Sequence, residues 1–233
     1  MLENTKINQK LKEVVYAISS ILKKEDDSNF LNELVFHVYN VRAKLLKERV
    51  EKYGMSVDLT QTIDVPLKKS SFEELSLFSC MDSECIIMSS YVPMPSTIRN
   101  SDNLPYTAVT LANGLSLEHI NPETLPLIVY SKYTGGMARY MLVNNYLAIV
   151  LPKGANLLKW VRIKDIFEYP NLLSSKQFGF ENCINCGISL DDIFPMPADM
   201  IDTLIDMIVV KYLNGQKQGQ FEDRTEVDAN KTI

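Results

Sequence analysis

An α+β chain, with a helical layer made from its two ends and a β-rich region inserted between them, follows from three observations. Apolar residues recur every three or four positions over residues 5–53 and again over 195–215, the period of one helix face. Between these stretches the period drops to two, and Asn-Gly, Asn-Asn and Pro-Lys-Gly separate short apolar runs, as turns separate strands. The chain is 46% hydrophobic over 233 residues, enough to build a packed core and to exclude global disorder. The organisation expected is a helical hairpin over 1–55, a meander or barrel-like β region over 56–194, a helix over 195–215 that packs on the first two, and an extended polar tail over 216–233.

The first helix is expected over residues 5–24, where Leu11, Val14, Val15, Ile18, Ile21 and Leu22 share a stripe. Asp26, Asp27 and Ser28 then offer side-chain oxygens to cap a second helix over Ser28–Tyr53. Its apolar face is read as Leu31, Leu34, Val35, Val38, Val41, Leu45 and Leu46, and Gly54 ends it by taking the left-handed conformation. Ile63, Val65 and Leu67 alternate with Thr62, Asp64 and Pro66; the missing donor of Pro66 predicts an edge strand. Residues 85–88 form a second strand, stopped by Pro93 and Pro95. Asn113-Gly114 predicts one hairpin, Asn144-Asn145 a second between Arg139–Val143 and 146–151, and the turn over 152–156 leads into a strand over 157–167. In the last helix Met200, Ile201, Leu204, Ile205, Ile208, Val209 and Leu213 form one face. Residues 216–233 are too polar to fold alone, and whether they order against a neighbour is left open by the sequence.

The residues offer little chemistry. Histidine is the commonest general base, and both histidines, His37 and His119, sit inside apolar patterns. No Gly-x-Ser-x-Gly elbow occurs, and the acidic pairs Asp26-Asp27 and Asp191-Asp192 read as solvated loop residues. No enzyme activity and no cofactor are expected. No metal is expected, and the four cysteines read as ordinary buried thiols; the alternative is a closed structural zinc site, since Cys183 and Cys186 have the spacing of a zinc knuckle and Cys80 and Cys85 would complete it. The net charge of −5 argues against tight nucleic-acid wrapping. Arg42, Lys44, Lys47 and Arg49 nevertheless form a basic run on the second helix, read as a solvated or partner-facing surface, with Phe221 of the tail as a further partner contact. The N-terminus lacks the pattern of a secretory signal, and no apolar run reaches membrane-spanning length, so synthesis in a cytoplasm and no membrane partner are expected.

Several ordered segments carry a resemblance. They are Arg42-Ala43-Lys44-Leu45-Leu46, Cys85 opening a strand, Pro93-Met94-Pro95-Ser96-Thr97-Ile98, Tyr146-Leu147-Ala148-Ile149, Asp165-Ile166-Phe167-Glu168-Tyr169-Pro170, and Phe194-Pro195-Met196-Pro197 with Met200-Ile201. In this order they resemble the head-to-tail connector ring, or adaptor, proteins of crAss-like podoviruses, phages of gut Bacteroidales. The resemblance implies a non-enzymatic virion subunit in a dodecameric homo-oligomeric ring beneath the portal protein. It implies contacts with the portal and with further ring or tail proteins, and a channel through which double-stranded DNA passes, is retained and is released on infection. Other readings kept beside it are a tail or collar subunit of different symmetry and a small zinc-clipped binding protein.

Overall fold

The structure, a computed structural model, describes residues 9–24, 27–71, 73–75, 85–99, 104–129, 131, 136–173, 181–184 and 189–214. The chain divides into two compact units, Met1–Leu46 with Ser189–Ile233 and Lys47–Ile188.

The first unit is helical and joins distant parts of the sequence. Helix α1 (Leu11–Leu22) buries Leu11, Val14, Val15 and Ile18. Ile21, expected in the same stripe, is exposed, because the buried face ends one turn earlier. The first N–H groups of a helix have no partner within it. Here Leu11 N donates to Asp192 O at 3.2 Å and Lys12 N to Leu190 O at 2.8 Å, so the turn at 189–194 satisfies them. Asp191 adds an ion pair with Lys12.

Helix α2 (Ser28–Tyr53) begins at Asp27, whose Oδ1 accepts from Asn29 N at 3.0 Å and Phe30 N at 3.1 Å. Asp27→Ala is expected to cost about 1 kcal/mol of stability, read from the urea midpoint of the helical circular-dichroism signal. Gly54, at φ +81°, closes α2 by donating to Val50 O at 2.9 Å. Burial on α2 follows a spacing of four through Phe30, Leu34, Val38, Arg42, Leu46 and Val50, with Tyr39 and Leu45 buried beside that stripe. Helix α4 (201–214) buries Ile201, Leu204 and Ile208 but leaves Leu213 exposed. The rings of Phe30 and His37 flank Tyr212 of α4 edge-on, at 5.3 and 5.6 Å.

The second unit is a nearly closed barrel. Its strands are β1 (Gln61–Ser70), β2 (Cys85–Ser90), β3 (Ala108–Thr110), β4 (Glu118–His119), β5 (Arg139–Val143), β6 (Tyr146–Pro152), β7 (Trp160–Asp165) and β8 (Glu181–Ile184), in the order β3-β7-β1-β2-β6-β5-β4 with β8 added to β1. The Thr110–Ser116 bridge and the bond from Leu117 N to Val109 O, at 2.8 Å, bring the chain before β4 back to β3. β4 and β5 are parallel; the other pairs are antiparallel. β2 pairs with β6 and β3 with β7, connections that a plain meander lacks.

Both expected hairpins form. Asn144 (φ +51°) and Asn145 (φ +66°) make a two-residue turn between β5 and β6, the conformation whose twist suits a hairpin. In the other, Leu111 N donates to Leu115 O at 2.9 Å across Ala112-Asn113-Gly114, and Gly114 alone takes positive φ.

Pro66 corrects the sequence reading. β1 is central, not an edge. Donors alternate between the two sides of a strand. Leu67 N donates towards the β7 side, to Lys159 O at 2.8 Å, so the donor that Pro66 lacks would point the other way. On that side the partner changes, from β8 opposite Asp64 to β2 opposite Leu67, and Pro66 stands at the step.

The barrel is filled by Ile63, Val65, Leu67, Met88, Leu147, Ile149, Leu151, Val161, Ile163 and Phe167, among others. Each such side chain contributes roughly 1.5–3 kcal/mol of burial. The outer faces of β2, β5 and β6 are also buried: Ile87, Met141, Val143 and Val150 pack with Leu125 of the short helix α3 (Leu125–Val129). No helix among the described residues is long and apolar enough to cross a membrane.

Candidate functional site

The segments singled out in the sequence meet in pairs. In the helical unit, Arg42 of α2 is fully buried, and its Nε donates to the Pro195 carbonyl at 2.8 Å. One turn earlier, Tyr39 packs edge-on against Phe194 at 5.7 Å. Phe194 N in turn donates to Gln9 O at 2.9 Å. Arg42 therefore ties α2 to the turn that introduces α4. Burial pulls its pKa down to about 10, with the neighbouring Tyr39 opposing, so it stays protonated near neutrality. The same burial pushes the Tyr39 hydroxyl up to about 12.

The second meeting place is one end of the barrel. Segment 94–98 lies along 165–168: Ile98 N donates to Ile166 O at 2.8 Å and Glu168 N to Ser96 O at 3.1 Å, around a Thr97–Phe167 bridge. Met94 N donates to Asn145 O at 2.7 Å, which adds the turn before β6. Gln61 is a buried fastener, with Nε2 donating to Leu59 O at 2.7 Å and Oε1 accepting from Phe167 N at 2.9 Å. Beside it Asp165, 1% exposed, accepts at Oδ1 from Ile166 N (2.7 Å) and Thr107 Oγ1 (3.2 Å). Burial raises the Asp165 pKa to about 7, although these donors and the Arg99 charge pull it down. Burial and the Asp165 charge also raise Tyr140, to about 12, and Tyr106 further. A cavity of about 260 Å³ lies at this end, lined in part by Ser96, Thr97, Arg99, Tyr106 and Asn145.

The residues expected at a partner surface are not brought to one place. Lys44 and Lys47 are exposed on α2, Arg49 is half-buried, and Arg42 points into its own unit. Phe221 lies outside the described residues. Of the four cysteines, Cys85 is buried against Ile87 and Val150, and Cys183 lies in β8; Cys80 and Cys186 lie outside the described residues. His37 stands between Glu33 Oε1 and Lys211 Nζ, each at 3.4 Å, on the surface of the helical unit. The His119 ring lies tilted against that of Tyr140, centroids 5.2 Å apart, and burial lowers its pKa. Of the acidic pairs, Asp27 caps α2, Asp191 pairs with Lys12, and Asp192 Oδ2 accepts from Ser189 N at 2.8 Å; Asp26 lies outside the described residues.

Sequence reasoning missed Gln61, Thr107 and Asp165. A signal for two of them was present. Gln61 stands in the register of Ile63 and Val65, and Asp165 in that of Val161 and Ile163, so each puts a polar group where the pattern calls for an apolar one. Arg42 does the same on α2.

In both places buried polar side chains fasten segments that lie far apart in the sequence. The chain belongs to the phage tail ring protein 2 family, whose model matches residues 13–230. It is thus a structural virion protein of the crAss-like phage ring type, and its family points to assembly with other tail or virion proteins. No curated protein matches the sequence.

Proposed function

We propose that the chain forms a dodecameric ring in the portal-to-tail connector, where it extends the DNA channel, retains packaged DNA and lets it leave on infection, with no reaction of its own. The match to a tail ring family across residues 13–230 carries this reading. The portal protein and further ring or tail proteins are its partners, DNA passes without specific contact, and assembly takes place in the host cytoplasm. The net charge of −5 suits a channel that DNA must slide through. Lys44 and Lys47, exposed on α2 and joined by Arg49, are the basic surface offered to a partner protein.

Electron microscopy of native particles tests this directly. A twelve-fold ring of this chain between portal and tail is the expected result; density for it elsewhere, or with another symmetry, overturns the placement. Changing Lys44→Glu and Lys47→Glu together should leave the fold intact and slow association with the partner about tenfold at low salt, since peripheral charges act mainly on the on-rate. Stopped-flow mixing of labelled partners measures it.

A further inference from the structure

A second concavity, about 540 Å³, opens on the barrel unit between three loops. Leu111 and Leu115 come from the first hairpin, Met137 and Ala138 precede β5, and Leu158 follows the 152–156 turn. Leu115 and Met137 are 59% and 58% exposed, and no described residue covers them. Large apolar side chains gathered in one exposed hollow mark a binding surface. Two of its walls are held by backbone bonds, Leu111 N to Leu115 O at 2.9 Å and Ala155 N to Pro152 O at 3.0 Å, so the hollow is formed before anything enters it.

We propose that residues 215–233 of a neighbouring copy dock here, with Phe221 as the anchor. The proposal rests on the ring reading above. The segment suits the site by length, since its 19 residues reach roughly 60 Å when extended, far enough to pass from one subunit to the next. It suits it by composition. Phe221 is the one aromatic residue of the stretch, set between Gln220 and Glu222, and a single aromatic in an apolar pocket is how such a segment gains most of its affinity. A second copy is the occupant because a ring sets one groove and one segment side by side at every subunit boundary. Head-to-tail contacts of this kind close a ring without needing a self-complementary patch.

The test uses the full chain with p-benzoylphenylalanine in place of Phe221, as an equal mixture of light- and heavy-isotope protein. Illumination should join light to heavy copies, with the cross-links falling in 111–118, 136–138 and 151–158. Adding Leu115→Glu and Met137→Glu should cut that yield at least about tenfold without changing the circular-dichroism spectrum. Cross-links within one copy, or at another surface of an assembled ring, overturn the docking and leave the ring standing. A chain that stays monomeric at every concentration, with no cross-link between copies, overturns both.

Discussion

Arg42→Ala is expected to destabilise the helical unit by about 3 kcal/mol, while Arg42→Met costs roughly 1 kcal/mol. The difference lies in what each change removes. Alanine takes away the long stem that fills the α2 register between Val38 and Leu46, and it leaves a cavity in a fully buried position. It also strips the Pro195 carbonyl of the donor at 2.8 Å. Methionine refills most of the volume and removes a buried charge whose desolvation already pulls the pKa down to about 10, so the cost that remains is the loss of polar contacts, the Pro195 carbonyl first. Arg42→Lys is expected to fall below methionine, because an ammonium in the same place has neither the Nε donor nor a delocalised charge. Urea titration followed at 222 nm, where the helices dominate, gives all three values. Equal losses for alanine and methionine would mean that the hydrogen bond, and not the packing, carries the effect.

The same residue shows why the fold was easier to read than the places that hold it together. Ser28–Tyr53 is a helix with the expected bounds, and both hairpins stand where Asn113-Gly114 and Asn144-Asn145 put them, because caps, turns and apolar periods are local. What pairs with what is not local. β8 carries the Cys183 that suggested a zinc knuckle, and it pairs with β1, more than a hundred residues earlier. The partner change that permits Pro66 in a central strand is set by β2 and β8 together, and no window around residue 66 contains either. The basic run on α2 reads as one surface in the sequence, yet Arg42 leaves it because residue 42 falls on the four-residue spacing of Leu34 and Val38. A charged residue in an apolar register was the readable sign, at Arg42 and at Asp165. The partners that make each tolerable, Pro195 and Thr107, lie 153 and 58 positions away.

Asp165 supplies the clearest pH dependence. Its carboxyl is buried at the barrel end and holds its proton up to about pH 7, whereas in the unfolded chain it titrates near 3.8. Between these values the native state binds the extra proton, so stability is greatest at and below about pH 4 and falls as pH rises towards 7. Tyr106 and Tyr140 face the carboxyl and stay neutral throughout this range, since burial and the Asp165 charge raise both. Arg99 offsets part of the cost of ionisation, and the donors Ile166 N and Thr107 Oγ1 offset more. Asp165→Asn keeps one oxygen to accept from Ile166 N and Thr107 Oγ1, which both reach Oδ1, and cannot ionise; the Thr107 backbone N–H is a third donor to this carboxyl. It is expected to match the wild-type chain near pH 4 and to exceed it by roughly 2–4 kcal/mol at pH 8, at 1.36 kcal/mol for each pKa unit less what relaxation of the site recovers. Trp160, the single tryptophan, lies on the same strand, so its fluorescence in urea reports this unit directly. Taking the difference between variant and wild type at each pH cancels the other carboxylates. A difference that stays constant from pH 4 to pH 8 would mean that Asp165 is ionised throughout, and that the barrel end is held by a charge its donors fully satisfy.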